Sequence, residues 1–167
     1  DGLIPRTFVR LDGSEEDVAD FELVRTDNER FTLFVMNDIN LTNTVSTADI
    51  QRFRNDFVPD YAAMLAKTPG KVYTTVLGDM TTDTRWYNNN FALPEYLEEM
   101  RAVPGAIPIW HVMGNHDNDI RCVGSSELWD AMPVVTYGRG IGPNYYSFNL
   151  GQFHFVVLDV IVYTGVN

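Results

Sequence analysis

Three short clusters in the 167-residue chain carry residue types that can hold a metal ion: Asn37-Asp38-Ile39-Asn40, Gly78-Asp79-Met80 and Gly114-Asn115-His116-Asp117. Each follows an apolar run, and each contains a hard ligand: Asp38, then Asp79, then Asn115 beside His116. In open α/β sheets, sites form where loops converge at the carboxyl ends of neighbouring strands. Carboxylate oxygen, amide oxygen and imidazole together suit divalent manganese, iron or zinc. Gly78 and Gly114 stand where the chain must turn sharply off a strand, so that the next side chain faces the site. A single cluster would say little. The repetition carries the reading.

The elements that must position these clusters are legible in the apolar pattern. Phe31-Thr32-Leu33-Phe34-Val35-Met36 is a near-continuous apolar run and predicts a strand covered on both faces. Ser46-Thr47-Ala48-Asp49 offers a capping-box-like helix start. Helical spacing follows through Ile50, Phe53 and Phe57 towards Lys67, with a break expected at Pro59. Val72–Leu77 reads as a second buried strand, so the unit is β-α-β with two parallel strands. A further helix is expected from Pro94 to about Arg101, and a third strand over Ile107–Met113. Tyr145–Asn149 and Phe153–Leu158, separated by Gly151, predict a hairpin. Asp20-Phe21-Glu22-Leu23-Val24 alternates as an edge strand would.

The three clusters together resemble the signature of the calcineurin-like metallophosphoesterase superfamily, which opens with Asp-x-His and continues with Gly-Asp and Gly-Asn-His-Asp or Glu. The stretch from Gly142-Pro143-Asn144-Tyr145-Tyr146-Ser147-Phe148 through Gly151-Gln152-Phe153-His154-Phe155 to Leu158-Asp159 is also similar to that family, especially its bacterial secreted members. The likeness spans about residues 31 to 163, leaving 1–30 as an extension or the end of a preceding domain. It implies an α/β fold of two stacked mixed sheets flanked by helices, of which this chain would hold the first half. It also implies hydrolysis of phosphate mono- or diesters at a dinuclear metal centre, with a metal-bound hydroxide as nucleophile. By that resemblance Asp38 would ligate one metal, Asp79 would bridge two, and Asn115 would ligate the second. Asn115 and His116 would meet the substrate. His116 would face the leaving-group oxygen, with Asp117 orienting it. Localisation stays open, with an extracytoplasmic site favoured by resemblance alone.

Two features depart from the family pattern. Asn40 stands where the family has its first His, and an amide oxygen is a weaker ligand than imidazole for most transition metals. The family's later lone His and Gly-His-x-His have no counterpart in these 167 residues, so three imidazole ligands are expected C-terminal to them. The chain by itself is accordingly expected to bind metal weakly, to be inactive, and to self-associate through an exposed sheet edge. A second reading is a catalytically impaired module that binds a ligand or partner through the same cleft.

Composition narrows the field further. Lys+Arg 12 against Asp+Glu 23 gives a net charge of -11, which argues against a nucleic acid as a stable partner. It does not exclude a small phosphorylated substrate, because bound cations reverse the local sign. The single cysteine, Cys122, excludes an internal disulfide and a multi-thiolate zinc site. No apolar run reaches the roughly 20 residues of a membrane-spanning helix.

Several residues have plainer readings beside the functional ones. Asp38 and Asp79 are also common turn residues at strand ends. Asn40-Leu41-Thr42 is formally a glycosylation sequon. Asp83 either supports the site from behind or is a solvated loop carboxylate. His111, inside a strand, reads as a packed core histidine, and His154, alternating with Phe153 and Phe155, as structural. Cys122 has only Arg121 as a cationic neighbour to activate it. Trp86, Tyr87 and Phe91 either shape a substrate mouth or cover the core.

Overall fold

The computed structural model describes residues 13, 27–105, 109–122 and 133–161. The expected edge strand at 20–24 and residues 107–108 of the third strand lie outside them. The described residues form a mixed α/β structure. Strands β1 (Phe31–Met36), β2 (Lys71–Leu77) and β3 (Ile109–Val112) make a parallel sheet in the order β1-β2-β3. Phe31 pairs with Lys71 at one end of the β1–β2 ladder, and Leu77 pairs with Val112 at the end of the β2–β3 ladder. The parallel register puts the carboxyl ends of all three strands on one side of the molecule.

One face of the sheet carries the core. Helices α1 (Asp49–Arg52) and α2 (Val58–Lys67) lie against it, as do α3 (Leu93–Met100) and α4 (Pro133–Gly140). Phe34 meets the Tyr61 ring edge-on at 5.4 Å, and the buried Tyr61 hydroxyl bonds the Thr74 hydroxyl at 2.6 Å. That bond satisfies two polar groups which burial would otherwise leave costly. Val76, Met80, Leu93, Tyr96, Met100 and Tyr137 are almost fully enclosed.

The helix between β1 and β2 begins and bends differently from expectation. Its N-cap is Ala48, held at φ 52, with no side-chain cap; Ser46 is not used. The Thr42 hydroxyl instead donates to Asp49 Oδ2 at 2.5 Å, fixing the first turn from the preceding loop. Pro59 does not break the helix. It sits in the first turn of α2, where its missing N–H is least missed. The preceding Phe53–Phe57 segment widens to a π-helical turn, so the chain runs helical from Asp49 to Lys67. α3 keeps Pro94 in its first turn, and Glu95 accepts the Ala92 N–H at 2.9 Å. α4 has no counterpart among the sequence expectations, because Gly138 and Gly140 disguise a short helix.

The hairpin is present as β4 (Tyr146–Leu150) and β5 (Phe153–Val157). Its two-residue turn places Gly151 at φ +55, as the first central position of a II′ turn requires. A Cβ there would also run into the Asn28 carbonyl. The hairpin lies across the other face of the parallel sheet, where Phe148 stacks on Trp110 at 4.1 Å and Phe153 meets Phe31 at 6.0 Å. Coverage of this second face by the described residues is partial. Val35 is 55% and Leu77 48% exposed, so the expectation of strands covered on both faces holds for one face only. Among the described residues no helix is long and apolar enough to cross a membrane.

Candidate metal centre

The three clusters occupy the carboxyl ends of β1, β2 and β3, and hydrogen bonds tie each to the next. After β1 the chain places both Asp38 (φ 49) and Asn40 (φ 46) in the left-handed region, which Asp and Asn tolerate better than other side chains. This double reversal turns the Asn40 N–H onto the Asp79 carbonyl at 2.8 Å and the Leu41 N–H onto the Met80 carbonyl at 3.0 Å. After β2, Gly78 (φ +89) and Asp79 (φ 49) make a comparable reversal. Non-glycine residues keep this conformation only where their surroundings hold them in place.

The β2 and β3 loops touch backbone to backbone. A Cβ built on Gly78 would lie 2.7 Å from the Gly114 Cα, and one on Gly114 would collide with the Asp79 N and Oδ1. Both glycines are therefore fixed by close approach, and Gly78 by its φ as well. Asp79 Oδ1 accepts the His116 N–H at 3.0 Å, which ties the second cluster to the third. Asp79 thus sits between its neighbours, holding Asn40 through its carbonyl and His116 through its carboxylate.

Asp117 is wholly buried and serves the scaffold. Its Oδ2 accepts the Gly114 N–H at 2.8 Å, while Oδ1 accepts those of Met80 at 2.9 Å and Thr81 at 3.3 Å. Burial pushes its carboxyl up to about 7 against the pull of these N–H groups. Both oxygens are committed to backbone, so the orienting contact expected for Asp117 is made by another residue. Asp83 Oδ1 lies 3.0 Å from His116 Nδ1 and also accepts the Thr84 N–H at 2.7 Å. Of the two readings open for Asp83, the solvated one is set aside: its side chain is 5% exposed, that of His116 40%. The Asp83 hydrogen bond raises the His116 pKa above the ordinary imidazole value, with burial opposing it and the Asp83, Asp79 and Asp117 charges adding to it. The resemblance implied Asp117 as this partner, whereas Asp83 takes that place. The signal is that Asp83 lies four residues beyond Asp79, on the same strand-end loop.

Of the four residues expected to hold metal, Asp38 and Asn115 are exposed, and Asp79 and Asn40 are half-buried. All four offer oxygen donors, the kind that suits manganese. Asn40 Oδ1 also accepts the Thr82 hydroxyl at 3.2 Å, so that oxygen is shared. Among the described residues no three of His, Cys, Asp and Glu gather into a cluster that could hold a metal ion. No protein-family model, curated protein or solved structure matches this chain. The site must therefore be read from its own residues.

The remaining candidates fall into structural places. His111 is buried, its Nε2 3.2 Å from the Tyr96 hydroxyl, and burial lowers its pKa to about 4. His154 is exposed on the outer side of the hairpin and bonds the Asn149 side chain at 2.7 Å. Trp86 and Phe91 are buried in the core, Trp86 donating to the Thr81 hydroxyl at 2.7 Å. Tyr87 is half-buried, bonds Asp119 at 2.6 Å and carries the Arg121 guanidinium over its ring at 3.5 Å.

Proposed function

We propose that this chain carries part of the active site of a metal-dependent phosphoester hydrolase, with a fold of the two-sheet metallophosphoesterase type. The observation that carries the proposal is the junction at Asp79, where loops from three parallel strands bring hard oxygen donors and one imidazole to a common edge. Asp38, Asn40, Asp79 and Asn115 are the residues that would hold two divalent cations, manganese, iron or zinc. Bound there, the cations would supply the charge that clamps a phosphoryl group and acidifies an attacking water. The substrate is a small phosphate mono- or diester.

The chain's own residues then have separable tasks. Asp79 is anchored by the His116 N–H, so its carboxylate keeps one orientation at the centre of the site. Asn115 projects from the first position of a turn that Asp117 locks to the backbone of Gly114. His116 holds a proton on the side of the ring facing away from Asp83 and would give it to the departing alkoxide. The Asp83 carboxylate fixes the ring and favours its protonated form.

To test the proposal, the full-length protein is assayed on aryl phosphates with manganese, iron or zinc. Metal-dependent turnover that vanishes in Asp79→Ala is the expected result. A second reading, a related module that binds a ligand without turnover, is favoured by Asn40, whose amide oxygen is shared with Thr82. Elemental analysis separates the two, because the enzyme should carry near-stoichiometric metal and the module little.

A further inference from the structure

We propose that Tyr87 is a positioning residue for the Asp83–His116 pair: its hydroxyl, bonded to Asp119, sets the angle at which the Asp83 carboxylate meets the imidazole. The proposal deepens the phosphoester reading, and its consequence for turnover rests on that reading. Asp83 and Tyr87 stand at opposite ends of one short turn. Asp83–Arg85 form a 3₁₀ turn, and the Trp86 N–H closes it on the Asp83 carbonyl at 3.1 Å. From its two ends both side chains reach the segment that follows β3. Asp83 Oδ1 meets His116 Nδ1 at 3.0 Å, and the Tyr87 hydroxyl donates to Asp119 Oδ1 at 2.6 Å. One hydrogen bond alone is a pivot about which the turn can swing. A second, one turn further along, fixes its orientation and with it the oxygen presented to the ring.

The anchor is held in its turn. Asp119 is buried; its Oδ1 also accepts the Arg121 N–H at 3.0 Å, and its Oδ2 accepts the Thr136 hydroxyl of α4 at 3.0 Å. A hydroxyl bonded to a carboxylate makes one of the stronger kinds of hydrogen bond. The Arg121 guanidinium, 3.5 Å over the Tyr87 ring, holds the ring from its face. The Trp86 indole closes the base of the same loop on Thr81, and Tyr87 secures its outer end. What this tie delivers is a tautomer. A neutral imidazole facing a carboxylate carries its proton on the facing nitrogen, so neutral His116 is the Nδ1–H form with Nε2 bare. Once the turn swings away, the ring returns to a mixture of both forms.

The test reads the ring itself. In the full-length protein, long-range proton–nitrogen correlation spectra show which nitrogen of neutral His116 carries the proton, the signal being assigned by its loss in His116→Gln. In the parent, Nδ1 should resonate as a protonated nitrogen. Tyr87→Phe removes the hydroxyl and keeps a ring beneath Arg121; it should move that signal towards the unprotonated range. Tyr87→Leu, which removes the ring as well, should move it at least as far, and Asp83→Ala furthest. Circular dichroism checks that each variant is folded. Two results would each overturn the proposal. One is a parent whose Nδ1 is unprotonated. The other is a folded Tyr87→Phe that melts earlier while its His116 signal stays in place, as a bond that only stabilises the fold would do. The spectra need neither metal nor substrate, so a protein without phosphoester turnover would end the functional reading and leave this outcome to stand or fall by the signal.

Discussion

The Asp83 carboxylate meets the His116 imidazole at 3.0 Å from a position almost closed to solvent, while the imidazole itself is open on its other side. The pair couples the loop after β2 to the turn after β3. It fixes which ring nitrogen faces the carboxylate and leaves Nε2 outside that contact.

Under the proposed function, replacing Asp83 with Asn should therefore act on the chemical step. In the full-length protein, kcat on an aryl phosphate should fall by about 10- to 100-fold, as for other partners that orient a functional histidine. Under the proposed function KM should change little, because Asp83 meets the ring at Nδ1, away from the side that would meet a substrate. His116→Ala should cost more, about 10²- to 10⁴-fold. An Asp83→Asn enzyme with unaltered kcat and an unaltered melting temperature would dissociate the pair from the reaction.

The contact between the two glycine loops predicts a stability effect separate from catalysis. Gly114→Ala would force its Cβ into Asp79, and Gly78→Ala would add a strained φ to a close backbone contact. Each should lower the unfolding free energy by about 1–3 kcal/mol, the range for overpacking a tight contact. Urea unfolding measures it. A substitution within a few tenths of a kcal/mol of the parent would mean the loops are not in contact.

His111 predicts how stability depends on pH. Burial beside Tyr96 lowers its pKa to about 4 in the folded state, against the ordinary imidazole value of 6.5. At this group the unfolded chain therefore binds more protons between these values, and its contribution to stability falls as pH drops from 6.5 towards 4. The loss attributable to this group is on the order of 3 kcal/mol and levels off below its folded pKa. His111→Gln should remove this contribution and leave the opposite one of Asp117, whose raised carboxyl takes up a proton in the folded state over much of the same range. A stability curve that His111→Gln leaves unchanged between about pH 6.5 and about pH 4 would contradict the assignment.

The stacking of Phe148 on Trp110 is the tightest aromatic contact between the hairpin and the sheet, at 4.1 Å and nearly parallel. Phe148→Ala should destabilise the protein by about 2 kcal/mol, combining lost burial with lost stacking. Trp110 emission should shift to the red in the folded variant as the ring meets water. Unchanged emission would place the hairpin elsewhere.

Much of this was legible in the sequence because apolar runs and glycine placement are local signals. The strands at residues 31–36 and 71–77, the helix at 93–100 and the hairpin turn at Gly151 follow from them directly. What was not legible depends on contacts between distant residues. Whether Asp83 or Asp117 reaches His116 is decided by which carboxylate the backbone N–H groups of Gly114, Met80 and Thr81 claim first. Pro59 reads as a helix break in isolation, yet the π-turn before it absorbs the misfit. The left-handed conformations of Asp38, Asn40 and Asp79 are equally invisible to periodicity. They follow from the bonds that tie each loop to the next.

The proposal that Asp79 joins the three strand ends into a metal-dependent phosphoesterase site has one most direct test. It is manganese-dependent turnover of an aryl phosphate by the full-length protein, compared with Asp79→Ala at equal metal concentration. Turnover should need the metal and should fall by about a hundredfold or more in the variant, the scale for losing one central charge-stabilising group. Turnover without metal, or turnover that Asp79→Ala leaves intact, would contradict it.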